Sequence, residues 1–193
     1  MTRTATRDEL IKVGTEIIAL HGFNTTGLNA VLSTAGVPKG SFYYYFASKE
    51  EFGLAVIENF AADYAAKLDS FLLNEKFTPL QRIRNYLKDG VSGMTQCQCM
   101  RGCPIGNLSL ELAGHNETFR ARLDAVFRDW HKRFTRCFAE AREAGEIAAD
   151  VDVKQLADVM LSGWEGAILR AKVMKSAAPM RTFVEVFFNK LLR

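Results

Sequence analysis

"VPKGSFYYYFASKEEF", residues 37–52, decides the fold. Five aromatic side chains, Phe42 to Phe46, stand between a Pro-Lys-Gly-Ser turn and a Ser-Lys-Glu-Glu helix start. Aromatic runs normally belong in a core, so this one needs dividing between an inner and an outer face. Phase along a short helix does that. Phe42 and Phe46 are one turn apart and share the core side, which spreads Tyr43, Tyr44 and Tyr45 over the other faces. Tyrosine suits such a surface, having an apolar body and a hydroxyl that reaches a phosphate oxygen or a base edge. A plain helical hairpin with the tyrosines turned inward is the competing reading.

Upstream, "TTGLNAVLSTAG" (25–36) reads as a short helix from about Leu28 to Ala35, ended by Gly36. Pro38 suits the first turn of the next helix, where its missing N–H costs nothing. Two short helices joined by a glycine-containing turn have the shape of a helix-turn-helix. Val31, Leu32 and Ala35 would pack against the second helix. Lys39, Gly40 and Ser41 form its leading turn: a cation, bare backbone for close approach, and a hydroxyl. Lys49 opens the next helix, where its charge and the backbone N–H groups together suit phosphate. Thr25 and Thr26 would make a matching contact on the other side. Up to Lys49, Arg3, Arg7, Lys12, Lys39 and Lys49 face Asp8, Glu9 and Glu16, a mild positive bias.

The totals are those of a folded globular chain: 193 residues, 48% hydrophobic and 24% charged. A net charge of +3 is too small to argue for a polyanion partner without local placement. No apolar stretch resembles a signal peptide and no run of about 18 apolar residues spans a membrane, so a cytoplasmic protein with no membrane partner is expected.

Helical periodicity continues throughout. Capping pairs stand at Thr6/Glu9, Ser48/Glu51 and Thr78/Gln81, the last with Pro79 in the first turn. Helices are expected from Thr78 to about Gln96, near Ile105 to Ala113, and from Asn116 to Gly145. Two very apolar stripes end the chain: Leu156, Val159, Met160, Gly163, Trp164, Ala167 and Ile168, then Met180, Phe183, Val184, Phe187, Phe188, Leu191 and Leu192. Each is wider than one flank of a small bundle needs, which favours a homodimer through the last two helices over a purely internal core. The fold class is all-α with about nine helices.

The stretch "GFNTTGLNAVLSTAGVPKGSFYYYFASKEEF" (22–52) resembles the DNA-binding signature of the TetR family of transcriptional regulators. The resemblance covers residues 6 to about 66, with the recognition motif at about 29–48, and leaves 67–193 as a C-terminal ligand-binding and dimerisation domain. It implies a homodimer reading a palindromic double-stranded operator, released by a small-molecule inducer. Tyr45 stands where the family often has histidine, and Pro38 where serine is common. "RGCPIGNLSLELAG" (101–114) and "GWEGAILRAKV" (163–173) resemble a branch containing acrylate-responsive and N-ethylmaleimide-responsive repressors. In that branch the electrophile-sensing cysteine falls on Cys103.

Cys97, Cys99, Cys103 and Cys137 imply no disulfides in a reducing compartment. Cys103, at a helix start near Arg101, has its thiolate favoured by dipole and cation. A small buried cap residue is the alternative. The C-x-C-x3-C spacing is not a usual zinc pattern, so neither metal nor cofactor is expected. Met100, Trp130, Trp164 and Arg170 are the remaining ligand candidates, Arg170 as a holder of a carboxylate. Scattered His21, His115 and His131, with no nucleophile and base in register, argue against an enzyme. A DNA-free helical dimerisation module is a third class.

Overall fold

The computed structural model describes residues 3–192. These residues form α1 (Arg3–His21), α2 (Leu28–Thr34), a 3₁₀ turn (Lys39–Ser41) running into α3 (Phe42–Tyr45), α4 (Lys49–Leu72), α5 (Pro79–Gln96), α6 (Pro104–Leu112), α7 (Glu117–Glu143), α8 (Val153–Met174) and α9 (Ala178–Val186). A π-helical turn, Phe187–Leu191, continues α9. Among the described residues there is no strand.

Most boundaries follow local chemistry. Thr78 and Gln81 form a reciprocal capping box with Pro79 at the first position of α5. The Asn116 side chain accepts the Phe119 N–H at 2.9 Å to open α7, and Asp152 caps α8 by accepting from Lys154 and Gln155. Gly22, Gly36 and Gly145 follow α1, α2 and α7 with positive φ, which a residue without Cβ adopts at little cost. Two boundaries differ from expectation. Thr6 lies inside α1 instead of capping it, because nothing in Arg3–Ala5 breaks a helix. Pro38 stands just before the 3₁₀ turn, with an extended ψ of 140°, and not within its first turn.

The chain separates into two compact units. The first holds the chain up to Asp63 together with Pro104–Val126; the second holds Tyr64–Cys103 and the chain from Phe127 onward. Pro104–Val126 thus groups with the N-terminal helices, whereas a division after residue 66 places it in the C-terminal part.

In the first unit Leu10, Val31, Leu32, Phe42, Phe46 and Phe52 are almost completely buried, each contributing roughly 1.5–3 kcal/mol. The rings of Phe42, Phe46 and Phe52 meet at 5.0–5.7 Å between centroids. Gly14 admits Phe52: a Cβ there would come within 2.3 Å of the ring. The second unit is built around Leu68, Leu72, Ile83, Phe134, Phe138 and Phe187. Arg133 ties α4 to α7 through Asp69 and Asp129, and Arg82 pairs with Glu140 at 2.7 Å.

The terminal stripes are mostly covered by their own chain. Met160, Trp164, Met180 and Phe187 are buried, and α8 meets α9 over Gly163, where a Cβ would come within 2.4 Å of the Phe183 ring. The exposed line on α8 is a different one: Val159, Ser162, Gly166, Leu169 and Val173. The steps of three and four that separate them place all five on one side of the helix.

Candidate functional site

The recognition segment splits its aromatic run as its phase requires. Phe42 and Phe46 are each 1% exposed, while Tyr43 is 71% and Tyr44 59% exposed. Tyr45 is intermediate and meets Tyr44 edge to face at 5.1 Å. The helical part is only four residues long, and the 3₁₀ turn Lys39–Ser41 leads into it. Lys39 and Gly40 are exposed there, and Ser41 is intermediate. A Cβ on Gly40 would touch nothing. The chain itself therefore does not require glycine at this point, and its effect is to leave bare backbone at the surface.

Arg3 and Arg7 brace this segment, a role that nothing in their sequence context beyond charge singles out. The Arg3 guanidinium lies 4.5 Å from the centre of the Tyr44 ring and donates to the Tyr44 carbonyl at 3.1 Å. Arg7 sits over Phe46 at 4.8 Å. Lys49 is partly buried with its ammonium 4.7 Å over the Phe23 ring. Thr25 is exposed and its hydroxyl donates to the His21 carbonyl. Thr26 departs from its expected role: it is 4% exposed and donates to the Gly22 carbonyl at 2.6 Å. Its side chain closes the C-terminus of α1 and has no open path to a phosphate.

The turn between α1 and α2 is also held from α6. Glu111 accepts the N–H groups of Phe23, at 2.9 Å, and of Asn24. Gly22 leaves room for that carboxylate, since a Cβ there would lie 2.9 Å from Oε2. Phe23 and Phe119 meet at 5.2 Å. The Asn116 amide donates to Glu50 at 2.6 Å, and Arg122 pairs with Glu58.

A second site lies inside the second unit. The hydroxyls of Tyr64 (α4) and Tyr86 (α5) are 2.7 Å apart. The Trp164 side chain (α8) hydrogen-bonds Tyr86, its ring seated where a Cβ on Gly90 would come within 2.6 Å. Trp130 (α7) packs on Tyr64 at 4.7 Å between ring centroids. Its indole N–H is buried with no acceptor. The Cys103 thiol, just ahead of α6, hydrogen-bonds the Glu165 carboxylate. Burial pushes Glu165 up to about 7, and the bond from Cys103 opposes that rise. Burial raises both tyrosines well above the ordinary phenol range; Tyr86 adds to the rise of Tyr64, whereas the hydrogen bond with Tyr64 opposes the rise of Tyr86. The arrangement offers a thiol, a carboxyl titrating near neutrality and an unsatisfied donor, all among aromatic walls.

Cys103, Trp130 and Trp164 are thus brought together; Met100 and Arg170 are not. Met100 is exposed, and its sulfur lies 3.5 Å from the Lys175 ammonium. Gln98 and Cys99, both at positive φ, turn the chain so that Cys99 is buried and Met100 faces out. Arg170 is exposed with its guanidinium 3.9 Å from the Met174 sulfur. Six residues along a helix from Trp164 put it on another face, so it holds no ligand in this cluster. Tyr64, Tyr86 and Glu165 complete the site. Their pairing joins separate helices, which spacing along the sequence does not show. No group of three or more His, Cys, Asp or Glu side chains among the described residues is placed to hold a metal ion. The four cysteines form no disulfide. Cys137 is a contrasting thiol: it meets the Pro79 carbonyl at 3.4 Å, and burial pushes it up to about 12.

A short helix pair that presents tyrosines and a lysine from a braced phenylalanine core, joined in one chain to a larger helical unit with an internal polar cluster, defines a helix-turn-helix regulator. Residues 10–56 match the family profile for "Bacterial regulatory proteins, tetR family", and residues 79–187 that for "Tetracyclin repressor-like, C-terminal domain". The chain belongs to the TetR family and is a DNA-binding transcriptional regulator. It is 40% identical over 178 residues to the transcriptional regulator AcuR of Cereibacter sphaeroides, spanning 92% of this chain and 81% of that one. The repressor DhaR of Mycobacterium sp. strain GP1 is 35% identical, over 100% and 95% of the two chains. The repressor NemR of Escherichia coli K12 is 32% identical, over 93% and 90%. Among solved structures, a regulatory protein TetR from Rhodobacter sphaeroides matches with a TM-score of 0.88 at 39% identity, covering 94% of this chain and 96% of that one. The reduced form of Escherichia coli NemR matches with 0.84 at 32%, covering 93% and 94%. Among the described residues no helix is long and apolar enough to cross a membrane.

Proposed function

We propose that the protein is a cytoplasmic homodimeric repressor, without enzymatic activity, that a small-molecule inducer releases from a palindromic operator. The observation that carries this reading is the division of the aromatic run: two buried phenylalanines anchor Tyr43 and Tyr44 in the open. Lys39, Gly40, Ser41, Tyr43, Tyr44, Tyr45, Lys49 and Thr25 are the DNA-facing set. Lys39 and the hydroxyls supply phosphate contacts, and Tyr43 is the side chain most open to a base edge. Dimerisation uses the last two helices, with α8 contributing the line Val159, Ser162, Gly166, Leu169 and Val173, whose small central residues allow close helix approach. The two relatives named as repressors support repression over activation. The inducer site is the cluster of Cys103, Trp130 and Trp164 with Tyr64, Tyr86 and Glu165. An electrophoretic shift with the DNA upstream of the protein's own gene tests the reading: a dimer complex at low salt is expected, and its absence would sink it.

The hydrogen bond between Cys103 and Glu165 favours a second reading of the same cluster, in which the inducer is an electrophile that modifies the Cys103 thiol. If Cys103→Ser is released from DNA by electrophiles as readily as the parent, that reading is wrong.

A further inference from the structure

We propose that Arg3 is a positioning residue for operator specificity: it fixes the Tyr44 ring, which then serves beside Tyr43 as a second reader of the operator. The inference rests on the reading of residues 39–45 as the DNA-facing segment.

A helix as short as α3 has little of its own to hold a side chain still. The Phe42 carbonyl is taken by the Phe46 N–H at 3.1 Å, and the carbonyls nearer the end of the helix lie beyond any intrahelical donor. Arg3 supplies a donor for one of them. Its Nη2 donates to the Tyr44 carbonyl at 3.1 Å, across 41 positions of sequence. The same guanidinium lies 4.5 Å from the centre of the Tyr44 ring. One side chain of α1 therefore holds both the backbone and the ring of a single residue of α3.

Tyr45 bounds the ring on another side, 5.1 Å away and nearly perpendicular at 85°. Tyr44 nevertheless keeps 59% of its surface open. A ring pinned in this way presents its free edge and hydroxyl in one direction. Ordering it before DNA arrives removes that part of the cost of association. Arg7 is the contrast: it sits over the buried Phe46 and pairs with Glu51 at 4.0 Å, so it supports the inner side of the segment. Tyr43 packs its ring on Phe42, its own neighbour, at 5.3 Å, whereas Tyr44 is fixed from another helix.

A cation at this place can act in two ways, and they leave different marks. A guanidinium bound to phosphate strengthens binding to every duplex and steepens the salt dependence. A guanidinium that orients Tyr44 changes the choice among duplexes and leaves the salt slope alone. The face of the Arg3 guanidinium is committed to the ring and its Nη2 to the carbonyl, which favours the second.

Binding of the full chain is followed by anisotropy on three kinds of DNA: the palindrome upstream of the gene, a scrambled duplex of equal composition, and palindromes substituted one base pair at a time in both half-sites. Arg3→Ala should lower the ratio of palindrome to scrambled affinity roughly three- to tenfold, with the salt slope unchanged. Arg3→Lys keeps the charge but cannot lie flat on the ring while donating to the carbonyl, so it should recover only part of that ratio. Tyr44→Ala should relax discrimination at the same operator position as Arg3→Ala, and the double variant should lose no more than Tyr44→Ala alone. Thermal unfolding shows which variants are folded at the assay temperature, and Arg3→Lys serves should the alanine variant not be. A loss shared equally by both duplexes, with a salt slope lower by about 0.9, would make Arg3 a phosphate contact and overturn the proposal. So would an Arg3→Ala that keeps the parent's ratio, or one that relaxes a different operator position from Tyr44→Ala. A parent that binds palindrome and scrambled duplex equally would overturn the reading of residues 39–45 itself.

Discussion

Glu111, in the last turn of α6, accepts the backbone N–H of Phe23 at 2.9 Å, across 88 positions of sequence. Its other oxygen takes the N–H of Asn24, so one carboxylate satisfies two donors of the turn that leads into α2. Because α6 starts at Pro104, directly after Cys103, the clamp and the thiol stand at opposite ends of one short helix. A shift of α6 would be felt first at the entry to the helix-turn-helix.

Glu111→Ala leaves both N–H groups without their partner. A loss of roughly 1–3 kcal/mol in stability is expected, together with weaker operator binding and little change in the dimer. Urea unfolding and a DNA titration on the same variant check it. Weakened binding at unchanged stability would point to some other route.

Gly90 makes room for Trp164. In Gly90→Ala the new Cβ would meet the indole at 2.6 Å, and an overpacked core costs roughly 1–3 kcal/mol. Tryptophan emission should change and inducer affinity fall, while residues 39–45, which lie in the other unit, keep their side chains in place.

Glu165 sets a pH dependence of stability. Its folded-state value, about 7, lies above the ordinary carboxylate range of the unfolded chain. The folded state therefore binds the proton more tightly, and stability falls as pH rises from about 4.3 through about 7, then levels off. Part of the group meets solvent, so the descent amounts to roughly 1–3 kcal/mol. Glu165→Gln should flatten it and be more stable than the parent near pH 8, as thermal unfolding across pH would read.

Val173 is one of the most exposed apolar side chains of α8 and closes the line from Val159. Val173→Asp sets two like charges close together across a symmetric interface. Monomers are expected by sedimentation velocity at concentrations where the parent is a dimer; an unchanged dimer would place the interface elsewhere.

Periodicity carried much of this structure, because period and phase are local properties. Phe42 and Phe46 were separable from Tyr43 and Tyr44 on spacing alone, and Thr78 with Gln81 marked the start of α5. What sequence could not show is which faces meet. Tyr64 looks like one more apolar step along α4 until Tyr86, on another helix, supplies a hydroxyl partner. Thr26 reads as a surface hydroxyl until the α1 terminus claims it. Arg170 reads as a neighbour of Trp164, yet the helix turns it outward. The terminal stripes were legible as excess apolar surface. Which residues remain outside, however, depends on how α8 and α9 cover each other.

The central claim is that the exposed tyrosines and Lys39 hold the dimer on a palindromic operator. A titration of fluorescent upstream DNA, read by anisotropy across salt concentrations, tests it most directly. The parent should bind as a dimer with a steep negative slope of log K against log salt. Lys39→Ala should lower that slope by about 0.9 for each phosphate no longer neutralised, and Tyr43→Ala should weaken binding to the palindrome more than to a scrambled duplex. Equal affinity of parent and both variants for palindromic and scrambled DNA would contradict the account.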